Sequence, residues 1–178
     1  MHKQITTLLI AFLLVPGLAL AHGPARVKVS KAIEINASAD KVWSLISDYC
    51  SIKDWHPDIS ECNADKGSEP ESVREITLAN GEVIKEKLFK IDDEKKFMQY
   101  AMQLEKGRII EGLPISTHGA KITVSATDSG SKVEWNGAFY RAFPGQEPPP
   151  ELSDAACQEA LETLYVNGLE NIKKLAEQ

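Results

Sequence analysis

The segment from Ser153 to the C-terminus constrains this chain most. Cys157, Ala160, Leu161, Leu164, Gly168, Leu169, Ile172 and Leu175 recur there at helical spacing, and Ser153 stands where an N-cap is needed. A long helix with one apolar face has to bury it. The rest of the sequence offers one large partner surface, a sheet, because from Pro57 to about Phe143 strand follows strand.

Residues 73–78 and 82–91 flank Ala79-Asn80-Gly81, a hairpin signal with glycine where a positive φ is required. Residues 97–104 alternate, with Met98, Tyr100, Met102 and Leu104 on one face, and 119–126 and 132–139 flank Asp128-Ser129-Gly130-Ser131, a second hairpin. Ahead of these, 27–35 reads as a strand. Ser38-Ala39-Asp40 caps a helix carrying Val42, Trp43, Leu45, Ile46 and Tyr49, and a second short helix or turn at 52–55 stops at Pro57. The expected fold class is therefore α+β: a curved antiparallel sheet of about six or seven strands wrapped around the long C-terminal helix. No internal repeat or linker interrupts it.

The N-terminus reads differently. Lys3 precedes a nearly unbroken apolar run over 5–20, Pro16 and Gly17 sit near its end, and Ala19-Leu20-Ala21 supplies the small residues a signal peptidase requires. Cleavage after Ala21 is expected, leaving one domain over 22–178, which is 157 of the 178 residues. A chain of that size buries roughly 70% of its unfolded surface and needs no metal to hold it together. No second run reaches the roughly 20 residues of a membrane span. The mature protein is thus expected to be soluble, exported and periplasmic.

With 26 acidic against 20 basic residues, the net charge is −6, which removal of Lys3 makes −7. There is no basic footprint for nucleic acid or anionic lipid. Three cysteines remain after cleavage, and an oxidising compartment allows one disulfide. Cys50 and Cys62 are the favoured pair, being close in sequence around a short helical turn, whereas Cys157 falls on the apolar stripe of the last helix. Three buried thiols acting as small hydrophobes is the alternative.

The element order, together with Ala37-Ser38-Ala39-Asp40-Lys41-Val42-Trp43, Trp55-His56-Pro57, Val73-Arg74 and Glu86-Lys87-Leu88, resembles the START-like superfamily of helix-grip folds, which includes polyketide cyclase-like proteins and plant hormone receptors. A finer resemblance lies in Leu113-Pro114-Ile115-Ser116, in Val133-Glu134-Trp135-Asn136-Gly137-Ala138-Phe139-Tyr140-Arg141 and in Pro148-Pro149-Pro150-Glu151-Leu152-Ser153-Asp154, which are similar to the MxaD-type periplasmic proteins of methylotrophic bacteria. That resemblance implies a non-enzymatic accessory of methanol oxidation, touching a methanol dehydrogenase or its c-type cytochrome. It implies no cofactor.

A helix-grip fold encloses a cavity between sheet and helix, so inward polar residues are informative. A three-residue loop at Ala79 to Gly81 sets Arg74 opposite Glu86, an anchor for a polar group, whereas a two-residue turn would set Glu75 against Glu86. In the receptors that the pattern resembles, the residue matching Glu86 faces the ligand. Met98, Tyr100 and Met102 form a soft wall. His118 alternates with Ile122 and Val124 and can donate to a ligand or accept a proton. Trp135, Phe139, Leu161 and Tyr165 complete the candidate lining for a small apolar ligand, and Glu86 with His118 is also the pair that cyclase-type proton chemistry would use. Ordinary core packing explains many of the same positions.

The proline-stiffened loop carrying Arg141, Gln146, Glu147, Pro148, Pro149, Pro150 and Glu151 is the candidate partner surface, or else a rigid bridge into the last helix. A mature N-terminal His22 could chelate copper, but no second histidine can be placed beside it, and neither HExxH nor a GxSxG elbow occurs. No metal site and no catalytic residue is assigned.

Overall fold

A computed structural model of the chain describes residues 23–105 and 107–178. The expected signal peptide and His22 lie outside them. Nine elements follow in order: β1 (Val27–Ile35), α1 (Ala39–Ile46), α2 (Ile52–Trp55), β2 (Ile59–Ala64), β3 (Val73–Leu78), β4 (Val83–Asp92), β5 (Phe97–Gln103), β6 (Ile115–Thr127) and β7 (Gly130–Arg141), and then a 3-10 turn (Pro150–Leu152) leads into α3 (Asp154–Ala176). The strands form one antiparallel sheet in the order β1-β7-β6-β5-β4-β3-β2. It curves around α3 as a helix-grip fold.

Local chemistry places each element. Ser38 accepts from the backbone N–H of Lys41 to start α1, and Ser153 does the same for Ala156 at the head of α3. The stripe read from the sequence is the buried face of α3, with Cys157, Leu161, Tyr165, Gly168, Leu169 and Ile172 turned inward. Period-two alternation runs through β3 to β7, whose inward residues share one core with the buried face of α3, which itself packs closest to β1 and β7. The strand β2, which the sequence pattern does not single out, has one fully buried residue, Ile59, and three exposed ones. It is an edge strand with little apolar alternation to announce it.

The β3–β4 hairpin closes with the three-residue loop, so Arg74 faces Glu86 and Ile76 faces Ile84. Glycine at position 81 has φ of 88°, as that loop needs. Cys50 and Cys62 are bonded, tying the turn after α1 to the edge strand β2 with 5.4 Å between their Cα atoms. Closing a loop of this length stabilises the fold by roughly 3 kcal/mol on the chain-entropy view. Cys157 is a buried thiol. No described helix is long and apolar enough to cross a membrane.

Candidate functional site

Between β3–β7 and α3 lies a closed chamber of about 20 Å³, lined by Glu86, Tyr100, Met102, His118, Trp135 and Leu161 together with Ile52, Ile59, Ile76 and Ile84. That is room for about one water molecule. Six of the ten residues assigned from sequence to a ligand cavity therefore meet in one wall. Arg74, Met98, Phe139 and Tyr165 do not line it.

Each exception has a physical reason. Arg74 is buried behind Glu86: its Nε and Nη2 donate to Glu86 Oε2 at 2.9 and 2.6 Å, Nη1 donates to the Tyr49 carbonyl, and the guanidinium stacks on the rings of Tyr49 and Tyr100. Burial alone would weaken its charge, but Glu86, Tyr49 and Tyr100 outweigh that and hold the guanidinium above its ordinary pKa. With each of its three nitrogens bonded to a protein group, Arg74 anchors Glu86 from behind, outside the chamber. Met98 pairs with Ile91 and Ile122 further along the strands and fills core. Phe139 is fully buried on β7. Tyr165 turns its hydroxyl to His118 Nε2, 2.7 Å away, and stacks its ring on Trp135 at 4.3 Å.

The contact between Tyr165 and His118 depends on a missing side chain. A Cβ at Gly137 would collide with Tyr165 Oη and stand 2.9 Å from His118 Nε2, so only glycine leaves room for the pair. Nearby, Trp135 Nε1 donates to Tyr100 Oη at 3.0 Å. Burial drives His118 down to about 4 and raises Tyr100 and Tyr165 well above the usual phenol range. At neutral pH His118 is therefore a neutral imidazole, and Tyr100 and Tyr165 are neutral phenols. Glu86 Oε2 is taken by Arg74, which leaves Oε1 as the carboxylate acceptor for a donor entering the chamber.

His56, in the Trp55-His56-Pro57 turn, reaches well beyond its own segment. Its Nε2 lies 3.0 Å from the Leu164 carbonyl on α3 and donates to it, because Nδ1 accepts from the Asp58 N–H. Burial lowers this histidine to about 4 as well. Gly168 makes the approach possible, since a Cβ there would sit 2.8 Å from the imidazole and 3.0 Å from Trp135.

A second space, absent from the sequence reading, opens at the end of the chamber. A surface cleft of about 440 Å³ runs between α3, the β3–β4 loop and the segment before β6, and its walls include Ala79, Asn80, Glu111, Ala156, Ala160 and Thr163. Leu78, Leu113 and Leu164 line both cleft and chamber and stand between them. The loops across the cleft are tied: Asn80 Nδ2 donates to the Glu111 carbonyl at 2.9 Å, and Arg108 pairs with Glu82 at 2.7 Å. Ala156 and Thr163, with Ala160 at the margin of the apolar stripe, form a row of small residues, the one sequence signal that could have marked this groove.

The partner-surface residues divide. Arg141 is buried, a correction to its place on a contact surface: it donates to the carbonyls of Phe143 and Gly145 and pairs with Asp154 at 2.9 Å. It staples the loop from within. Gln146, Glu147, Pro150 and Glu151 are exposed, and Pro148 and Pro149 are half-buried. Among the described residues no cluster of metal-ligating side chains occurs.

Comparison with known proteins agrees with this geometry. Residues 26–177 match the family described as polyketide cyclase/dehydrase and lipid transport. MLP-like protein 423 of Arabidopsis thaliana is 27% identical over 132 residues, which is 70% of this chain and 83% of that protein. The crystal structure of an uncharacterized protein from Bacillus thuringiensis superposes with a TM-score of 0.66 at 25% identity, over 86% of this chain and 100% of its own. The protein XoxI from Bacillus cereus does so with a TM-score of 0.66 at 25% identity, over 85% of this chain and 95% of its own.

Proposed function

Because the chain belongs to the polyketide cyclase/dehydrase and lipid transport family, we propose that it binds and carries a small, largely apolar molecule without transforming it. The molecule enters by the cleft and presents a hydrogen-bond donor to Glu86 and His118. The observation that carries this reading is the shared wall: three apolar side chains, Leu78, Leu113 and Leu164, separate the cleft from the chamber that holds Glu86 and His118. Rotamer changes of leucines are far cheaper than breaking an ion pair, so the chamber can open without loss of the Arg74–Glu86 anchor. The bonded Cys50–Cys62 pair supports an oxidising compartment, the periplasm.

Titration with the neutral naphthalene dye prodan tests the reading. Saturable one-to-one fluorescence enhancement is expected, and Ala160→Trp, which fills the cleft from the surface of α3, abolishes it while the unfolding midpoint stays in place. No enhancement, or enhancement indifferent to Ala160→Trp, would overturn the assignment. Native mass spectrometry of the purified protein then identifies any molecule it retains.

A second reading is an accessory contact with a methanol dehydrogenase or its c-type cytochrome, drawn from the segments similar to MxaD-type proteins. It is favoured by the Arg141 staple, which holds the exposed residues Glu147, Pro150 and Glu151 ready for docking without loss of loop entropy. Its test is the rate of cytochrome reduction by the purified dehydrogenase with and without this protein.

A further inference from the structure

The outer face of the sheet carries a chemistry that the interior does not use. The ladder sets Lys28 opposite Ala138, Ala138 opposite Gly119, Gly119 opposite Ala101 and Ala101 opposite Lys87. One row across five strands thus reads lysine, three small residues, lysine. The low floor leaves a trough of about 350 Å³, with Arg26, Lys28, Lys121 and Phe89 in its walls and no carboxylate among its lining residues. In the next row Lys121 stands between Asn136 and Gln99, and Gln99 faces Lys90.

Three of these cations are not neutralised. Among the described residues, Arg26, Lys28 and Lys121 form no ion pair, and Lys121 lies over the Phe97 ring at 4.1 Å. The chain as a whole has a net charge of −6, so cations without counter-charges on one face are a segregation, not an average. Apolar anchors flank them. Phe89 is 48% and Tyr140 38% exposed, and a shift of register between Leu88 and Lys90 turns Phe89 outward.

We propose that this face docks an acidic segment of a partner protein. Carboxylates on that segment meet Arg26, Lys28 and Lys121, while a chain of small cross-section lies over Ala138, Gly119 and Ala101 toward Phe89; Lys87 at the far end is already paired with Glu71. Lys28 and Lys87 are four strand spacings apart, about 19 Å, a span suited to several residues of extended chain. A flat bilayer surface does not reach a floor recessed between Lys28 and Phe89, which favours a protein segment over an anionic membrane. Attraction of this kind between exposed charges is strongly screened by salt.

The test uses the intact protein and a short fluorescein-labelled poly-L-glutamate as the probe, followed by fluorescence anisotropy. Saturable binding at low ionic strength that disappears at high salt is expected, weakened at least about tenfold in Lys28→Glu/Lys121→Glu. A control with the same charge change, Lys53→Glu/Lys174→Glu, alters two exposed lysines elsewhere and is expected to leave affinity within about twofold. No binding, or equal weakening in both double variants, would overturn the proposal. Binding to phosphatidylglycerol vesicles but not to poly-L-glutamate, lost in Lys28→Glu/Lys121→Glu, would overturn it in favour of a membrane. The prodan titration in the same variant is unaffected, so this surface and the ligand reading stand or fall separately.

Discussion

The chamber and the cleft share three leucines and little else. The chamber has Glu86, His118 and Tyr100 in its wall but room for about one water, whereas the cleft has some twenty times the volume and a wall largely of small and apolar groups. The difference follows from where each sits. Charges and phenols buried in an interior are tolerated only when packed and paired, which drives the surrounding volume toward zero. A groove at the surface can stay wet, so nothing forces it to close. Recognition and capacity are therefore kept apart, and a ligand that uses both must move the leucines between them.

The sharpest way to break this contrast is to unpair the chamber. Arg74→Met leaves the buried Glu86 carboxylate without its partner and is expected to cost about 3–5 kcal/mol in urea unfolding. Adding Glu86→Leu removes the stranded charge and should recover much of that loss. If Arg74→Met alone is neutral, Glu86 is solvated and the chamber is not closed.

Acid comes next. His118 and His56 titrate near 4 in the folded protein, below the ordinary 6.5. Above pH 6.5 both folded and unfolded chains leave these rings neutral and stability is complete. As pH falls from 6.5 toward 4 the unfolded chain takes up protons that the folded chain refuses, so stability declines across that window. Each ring contributes up to about 3 kcal/mol of the decline. His118→Gln should flatten it by roughly half in unfolding midpoints recorded between those limits, and an unchanged slope would mean that His118 is accessible to water.

Smaller still is Gly137→Ala, expected to cost about 1–3 kcal/mol by overpacking against Tyr165. It also separates the Tyr165 hydroxyl from His118, which the imidazole nitrogen shifts in NMR spectra report. At the cleft, Thr163→Val should change stability by no more than about 0.5 kcal/mol, because no buried group depends on it. A loss comparable to that of Gly137→Ala would put the cleft in the core after all.

Much of this was legible in the chain. The stripe from Cys157 to Ile172 specified the face of α3 that is buried, and of the two registers open at Ala79-Asn80-Gly81 the structure has the one that sets Arg74, not Glu75, against Glu86. The stripe is a local signal with a fixed period, which is why it survives folding unchanged. Arg141 was not legible: its loop reads as exposed and proline-rich, yet the side chain turns inward to bind two carbonyls and Asp154. His56 escaped for a similar reason, since its partner carbonyl at Leu164 lies 108 residues away. Nor did β2 declare itself, because an exposed edge strand lacks the alternation that marks its neighbours.

The sequence by itself determined the helix-grip architecture and the inward face of every alternating strand, because periodicity and turn chemistry are written residue by residue. Only the tertiary structure decided which inward residues meet a void and which fill the core, and most of the open volume lies in the cleft beside α3, little of it around Glu86. Void volume is the small remainder after many side chains from distant elements have packed together. No local pattern encodes it, and a single absent methyl group, as at Gly137 or Gly168, is enough to change where it falls.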